Sequence, residues 1–309
     1  MRYKRKMNIL FITSSLGYGG ASKMLRFVAE SLAKRGYQVH IANIKSTNNV
    51  GGYERTVDKK VTVHNIKSAN IVAFRRLIQV WEINKLCKRI KADVVIGFTM
   101  YPNLMARLVG WSCKTPAIMS ERGDPNRTFG NTLVDKVLIA IINKSSGGVF
   151  QTPGAMEFYS MKLQERSVVI PNPIFFEQNS IEVNYGRREK TVVSVGRLEL
   201  YQKRYDIMLK AFKIFLQDHE GYKLKIYGNG PDEDKIRDLA YTLKIENSVN
   251  FMGVTSQPMK EIYEEGIFLI TSDFEGISNS LLEAMAVGLP CVSTDHTPGG
   301  ARFLITDNK

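Results

Sequence analysis

Short aliphatic runs alternate with longer amphipathic stretches twice along this chain, first between residues 8 and 150 and again between residues 191 and 294. Such alternation demands parallel sheets covered by helices. In the first series, strands are expected at residues 8–13, 38–43, 61–65, 93–97, 117–120 and 148–150. The clearest helices there are 21–35, which Gly36 can terminate, and 71–91. The second series gives strands at 191–195, 222–227, 249–252, 267–271 and 291–294, with helices at 205–218, 232–243 and 280–287. Between the series lie Pro171-Asn172-Pro173 and a polar, poorly periodic stretch ending in Arg187-Arg188-Glu189-Lys190. Paired prolines stop both helix and strand, so the boundary belongs here, giving domains 1–172 and 173–309. A chain of 309 residues has room for two cores of about 150 residues each. The expected fold class is therefore α/β: two tandem Rossmann-like, doubly wound domains whose carboxyl-end loops face a shared cleft that can hold a ligand.

Several function classes drop out. The longest aliphatic run near the middle, Val137 to Ile142, is far short of the ~18 apolar residues that cross a bilayer. Cys87, Cys113 and Cys291 show no Cys-x-x-Cys spacing, which excludes a disulfide framework or zinc site and points to the cytoplasm. His40, His64, His219 and His296 show no ligand spacing, so no metal is implied.

Charge divides unevenly. Residues 1–172 carry 27 Lys and Arg against 10 Asp and Glu, whereas residues 173–309 carry 16 against 20. An anionic partner for the first half follows, whether nucleic acid, lipid headgroups or a phosphorylated acceptor, beside the plainer reading of a soluble basic surface. Phe74, Leu77, Ile78 and Trp81 recur near helical spacing among Arg75, Arg76, Lys85, Lys88, Arg89 and Lys91. Such a helix packs its apolar stripe on a sheet and leaves its cations in water, or else binds a membrane or a phosphate.

Three motifs on post-strand loops carry chemistry. Gly17-Tyr18-Gly19-Gly20-Ala21 precedes a helix whose first amides can meet an anion, although a plain tight turn also accounts for it. Gly196-Arg197-Leu198 closes the first strand of the second domain, with Lys203 six residues after Arg197. A guanidinium fork and a mobile ammonium on one loop can neutralise a diphosphate. Finally, Glu275 and Glu283 stand eight residues apart around a strand-to-helix turn. Amides of Gly276, Ile277, Ser278 and their neighbours can bind phosphate oxygens there, leaving the carboxylates to accept hydrogen bonds from sugar hydroxyls. Ser280 and Glu283 also fit a capping box that needs no ligand.

These residues, together with Gly228-Asn229-Gly230-Pro231, resemble the retaining glycosyltransferases of family four, which have the GT-B fold. The order and spacing of the motifs hold across nearly the whole chain. That resemblance implies a nucleotide-sugar donor, a uridine diphosphate sugar with a guanosine one as alternative, held mainly by the second domain. It puts Arg197 and Lys203 on the diphosphate, Glu275 near the sugar hydroxyls, and Glu283 on the ribose. Gly228 and Val254 become neighbours of the base, and Gly20 approaches the diphosphate from the first domain. No metal or other cofactor is implied, and Asp232-Glu233-Asp234 reads as compensation of a helix dipole. Glu121 and Arg122 are expected near an acceptor, with a turn held by Asp124-Pro125 as the alternative.

The implied reaction moves a hexose or N-acetylhexosamine, with retention, to a lipid-linked or surface-polysaccharide acceptor at the inner membrane face, with peripheral contact to an anionic bilayer. In the family the second domain continues beyond Gly299-Gly300, so this one is expected to be truncated at its C-terminal end. Two other classes are a nucleic-acid-binding protein, which lacks any helix-turn-helix, zinc-finger or RNP-like signature here, and a nicotinamide oxidoreductase. The latter lacks its third glycine, since Ser22 stands in that place.

Overall fold

Valine- and isoleucine-rich runs form most of the strands, and most strands are followed by a helix that packs on the sheet. The computed structural model describes residues 6–17, 20–44, 57–67, 72–174 and 188–305. It divides into two compact units, Met1–Pro171 and Asn172–Lys309.

The first unit runs β1 (Asn8–Thr13), α1 (Gly20–Lys34), β2 (Gln38–Asn43), β3 (Val61–Asn65), α2 (Val72–Ile90), β4 (Val94–Phe98) and α3 (Met100–Cys113). There follow β5 (Ala117–Ser120), α4 (Pro125–Thr128), α5 (Leu133–Ile142), β6 (Gly147–Phe150), α6 (Pro153–Glu157), α7 (Met161–Gln164) and β7 (Ser167–Val169). Among the described residues these strands make one parallel sheet in the order β3-β2-β1-β4-β5-β6-β7. Strand β7 is too short for periodicity to reveal. Helix α1 buries Met24, Leu25, Ala29 and Ala33 at helical spacing. It ends at Gly36, whose φ of 91° is left-handed, while the Tyr37 amide donates back to the Leu32 carbonyl at 3.2 Å.

Helix α2 reverses an expectation. Of the stripe Phe74, Leu77, Ile78 and Trp81, anticipated as the packing face, Phe74, Leu77 and Trp81 are 57%, 66% and 55% exposed, and Ile78 is half-buried. Ile83, Leu86 and Cys87 are buried instead, against Leu10, Ile12 and Val95. At 3.6 residues per turn these two stripes lie on opposite sides of the helix, and only one can face the sheet.

The second unit comprises β8 (Thr191–Val195), α8 (Leu200–Lys203), α9 (Tyr205–Asp218), β9 (Lys223–Tyr227), α10 (Glu233–Thr242) and β10 (Val249–Gly253). These lead to α11 (Pro258–Ile262), β11 (Ile267–Ile270), α12 (Asn279–Ala286), β12 (Cys291–Ser293) and α13 (Gly300–Leu304). Its described strands pair in parallel in the order β10-β9-β8-β11-β12. Successive side chains of a strand point to opposite faces. Val192 accordingly joins a core with Leu209, Phe212 and Ile236, and Val193 one with Ile262, Leu281 and Ala284 on the other face. Because β9 lies on one side of β8 and β11 on the other, the strand order reverses at β8, and the loops after β8 and β11 flank the resulting crevice.

Helix α3 crosses β4 so closely that a Cβ on Gly97 would stand 2.5 Å from Asn103 Cα and from the Pro102 carbonyl oxygen, whereas one on Gly123 would meet nothing within 4 Å. Gly97→Ala is expected to destabilise the protein by about 3 kcal/mol through overpacking. Gly123→Ala should stay within about 0.5 kcal/mol of the parent. Urea denaturation of the two variants checks the contrast.

Candidate functional site

At the carboxyl end of the second sheet, three loops lie backbone against backbone. The Gly196 amide donates to the Tyr227 carbonyl at 2.9 Å, Leu198 N to Asn229 O at 2.9 Å, and Gly228 N to Gly253 O at 2.7 Å. Gly228 has φ 140°, and a Cβ on it would fall 1.8 Å from the Gly196 carbonyl oxygen. No other residue fits there. Leu198 is fully buried and anchors the loop, while the Arg197 side chain is 66% exposed and lies 3.7 Å from Glu199. Val254, following Gly253, is likewise exposed.

The loop carrying Arg197 and Lys203 is fastened to the loop after β11. Thr271 Oγ1 donates to the carbonyls of Lys203 and Arg204, each at 3.0 Å. Asp273 N reaches Gln202 O at 2.9 Å, and Gln202 Nε2 reaches Phe274 O at 3.0 Å. The Arg204 guanidinium donates to both Asp273 oxygens at 3.0 Å and holds Asp206 at 2.9 and 3.0 Å. Both partners push the Arg204 pKa above its ordinary value. Arg204 has φ 51°, a left-handed backbone that ordinary residues adopt only when their surroundings impose it.

This fastening sets Lys203 directly against Glu275 in an ion pair whose side chains are largely buried. Ser272 Oγ donates to the same carboxylate oxygen at 3.1 Å. Gly276 and the buried Ile277 and Ser278 lead into α12, and Ser278 occupies its N-cap position without a side-chain capping bond to a helix amide, its Oγ instead sharing a 3.0 Å hydrogen bond with Ser280 Oγ. Helix α12 thus starts at Asn279, which puts Ser280 inside the first turn. The capping box read for Ser280 and Glu283 does not form, and Glu283 lies within the helix, half-buried. Asn172 Nδ2 donates to Asn279 Oδ1 at 2.8 Å and to the Ile277 carbonyl at 3.4 Å. A residue read as linker therefore holds the start of α12.

A third loop, after β12, closes on the second. Glu275 N donates to Thr297 O at 2.9 Å, and Thr294 Oγ1 to Ser272 O at 2.6 Å. A Cβ on Gly300 would fall 1.8 Å from the Gly276 carbonyl oxygen and 3.2 Å from His296 Cε1. His296 is buried, and neither ring nitrogen meets a hydrogen-bond partner among the described residues. Burial lowers its pKa, and the Glu275 charge opposes that shift. The sequence reading missed Arg204, Asp273 and His296 as site elements. Their signal was adjacency alone: Arg204 follows Lys203, and Asp273 precedes Glu275 by two.

Other expected residues fall elsewhere. Asp232 accepts from Leu200 N at 3.0 Å and from Lys235 Nζ at 2.8 Å at the start of α10, which ties that helix to the Arg197 loop. Among the described residues no group of three or more His, Cys, Asp or Glu gathers to hold a metal ion. Gly20 opens α1 in the first unit and is exposed, while Tyr18 and Gly19 lie outside the described residues.

Glu121, expected to face an acceptor, is turned into the protein instead. Its carboxylate accepts from the amides of Arg122 (3.0 Å) and Gly123 (3.3 Å) and from the Tyr159 hydroxyl (2.8 Å). Burial raises the carboxyl pKa, and those hydrogen bonds oppose the rise. Arg122 donates to Ser120 Oγ at 2.9 Å and lies over the Phe98 ring, 4.6 Å from its centroid. Burial lowers its pKa to about 10, with Glu121 opposing. Asp124 caps α4 by accepting from Asn126 N at 2.9 Å.

Two family descriptions cover most of the chain: "Glycosyl transferases group 1" matches residues 176–309, and "Glycosyl transferase 4-like" matches residues 16–144. An uncharacterized glycosyltransferase of Haemophilus influenzae is 28% identical over 298 residues, spanning 94% of this chain and 80% of its own length. A Campylobacter jejuni protein named N-acetylgalactosamine-N,N'-diacetylbacillosaminyl-diphospho-undecaprenol 4-alpha-N-acetylgalactosaminyltransferase is 27% identical over 321 residues, 96% of this chain and 82% of its own. Anabaena Alr3699/HepE, solved in complex with UDP-glucose, superposes with a TM-score of 0.78 at 17% identity, covering 97% of this chain and 83% of that one. The last likeness is one of fold.

If Arg204 and Asp273 act as one fastening, their removal is not additive. Arg204→Gly, which suits the left-handed backbone, and Asp273→Asn should each lower the melting temperature, and the double variant should lose less than the two losses together. Glu121 supplies a pH test. Its carboxyl pKa in the fold lies above the ordinary 4.5, so the native state binds the proton more tightly than the unfolded chain, and this contribution to stability is lost as pH rises above 4.5. In Glu121→Gln, urea midpoints measured across the acid-to-neutral range should fall less steeply with rising pH.

Proposed function

The chain belongs to the family-four glycosyltransferases of GT-B fold, and on that premise we propose that it transfers a hexose or N-acetylhexosamine from a uridine diphosphate sugar, with retention, to a lipid-linked or surface-polysaccharide acceptor. A guanosine diphosphate sugar is the alternative donor. The observation that carries this reading is the convergence of Arg197, Lys203, Glu275 and the start of α12 at the carboxyl end of one sheet. The family assignment displaces the nucleic-acid and nicotinamide readings of the sequence.

Each group then has work to do. Arg197, exposed beside Glu199, and Lys203, held in place, supply two positive charges to the diphosphate, and the first amides of α12 near Gly276, Ile277 and Ser278 add the helix-end field. Glu275 accepts hydrogen bonds from the donor sugar, and Glu283 from the ribose. The stacked glycine loops at Gly228 and the exposed Val254 offer a surface for the base. Support for a uridine nucleotide comes from HepE, which binds UDP-glucose. Support for a lipid-linked acceptor comes from the Campylobacter relative, whose name specifies a diphospho-undecaprenol substrate. Arg122, packed over Phe98, is the remaining acceptor-side candidate of the first unit. Peripheral contact with an anionic membrane at the cytoplasmic face belongs to the same reading.

The chemistry is front-face displacement. The bond from the sugar C1 to the phosphate oxygen breaks, the acceptor oxygen bonds C1 from the same face, and its proton passes to the departing phosphate. Charge develops on the diphosphate, so fixed cations there lower the barrier more than they strengthen ground-state binding. Arg197→Ala and Lys203→Ala should each reduce turnover by about 10²-fold or more while the fold persists. Hydrolysis of a panel of nucleotide sugars measures this and identifies the donor. The anomeric proton coupling of the first-formed product should match that of the donor, and an inverted product or near-normal turnover in Arg197→Ala contradicts the mechanism.

A further inference from the structure

His296, in the loop after β12, is 3% exposed, and neither of its ring nitrogens has a hydrogen-bond partner among the described residues. Buried polar groups are nearly always paired in folded proteins, so an unpaired one marks stored strain, a bound water or a functional role. Its backbone is tied on both sides: His296 N donates to Thr294 O at 3.0 Å, and Gly299 N to His296 O at 2.9 Å. The next residue in the chain joins the Glu275 loop, whose amide donates to Thr297 O at 2.9 Å. A Cβ on Gly300 would come within 3.2 Å of the imidazole. The ring is thus enclosed beside the segment that carries Glu275.

The charges that face it come from three elements. Burial disfavours the imidazolium and holds the pKa below the ordinary 6.5. Glu275 of the loop after β11 favours the charged form, as do the Thr297 backbone and Asp295 of its own loop, while Lys203 at the end of α8 opposes it. Asp295 is paired with Arg302 of α13. Lys203 and Glu275 are paired with each other, so the imidazole beside them stays neutral in the free protein. A diphosphate at Lys203 breaks that balance. The ammonium then divides its charge between phosphate oxygens and the carboxylate, and the added negative charge favours a proton on the neighbouring ring. Glu275 meanwhile keeps only its bond from Ser272 Oγ, at 3.1 Å, undivided.

We propose that His296 is a positioning residue acting through Glu275: when a donor's diphosphate engages Lys203, His296 takes a proton from solvent and becomes the second countercharge of the carboxylate. The proton returns to solvent as the diphosphate leaves, and it is separate from the one that passes from acceptor to phosphate. This inference rests on the proposed function for the donor and for the part given to Glu275. It accounts for a buried ring without partners, since the group acquires its partner only in the bound state.

Calorimetry of UDP binding, with GDP in parallel, in buffers of different ionisation heat counts the protons taken up. UDP titrates on its own account, so the quantity read is the difference between the parent and His296→Gln. The parent should take up more proton near neutral pH. Its affinity for UDP, relative to that of His296→Gln, should fall as pH rises from the free-state pKa toward the higher bound-state one. His296→Phe removes both nitrogens from the buried site. Its melting temperature should hold or rise, because an unpaired buried polar group is gone, yet nucleotide-sugar hydrolysis should fall about tenfold or more. A histidine with a structural role alone gives the reverse, with stability lost and turnover per folded molecule unchanged. Equal proton uptake by the parent and His296→Gln overturns the inference, as does unchanged hydrolysis in His296→Phe. Where His296→Phe does not fold, the calorimetry of His296→Gln decides. A parent that binds neither nucleotide and hydrolyses no nucleotide sugar overturns the enzymatic reading and this inference with it, whereas hydrolysis by a parent with no excess proton uptake overturns this inference alone.

Discussion

Everything at the proposed donor site depends on loops being held to one another. Strands of a parallel sheet deliver their successors to the same edge, but an edge of independent loops would present Lys203 and Glu275 in no fixed relation. Here Arg204 chelates Asp273, Thr271 takes two carbonyls of the neighbouring loop, and Gly228 and Gly300 approach backbone where a side chain would collide. Preorganisation of this kind is what gives electrostatic stabilisation its value, since charges already in place need no reorganisation when the transition state forms.

The electrostatic division between the two units fits two different tasks. The second unit has a slight acidic excess, yet concentrates its functional cations at one loop, where a carboxylate stands beside them. The first spreads its positive charge over helices, α2 above all. A localised diphosphate calls for the former arrangement and a diffuse anionic surface for the latter.

Much of this was readable from the amino acids. Strand and helix alternation placed β1, β2, β3, β5 and β8 at their observed bounds, and the Arg197, Lys203 and Glu275 spacing led to the loops that carry the proposed chemistry. Where reading failed, long-range packing had decided. Periodicity found an apolar stripe in α2 without saying which of two stripes the sheet would take. The Ser280–Glu283 spacing matched a cap, but Asn172, more than a hundred residues away, helps fix the helix start at Asn279. Glu121 was expected near an acceptor, yet its carboxylate is turned inward to the Tyr159 hydroxyl. None of these partners is near in sequence, so local pattern could not reveal them.

Strand β8 supplies Val192 to one core and Val193 to the other. Deleting or inserting a single residue there would exchange the occupants of both cores at once, because the side-chain period is two. Change in this unit is consequently channelled away from the strand and into the segments beyond its carboxyl end. Those are also the segments that form the proposed donor site, so descent with altered sugar preference has an open route that leaves the scaffold untouched.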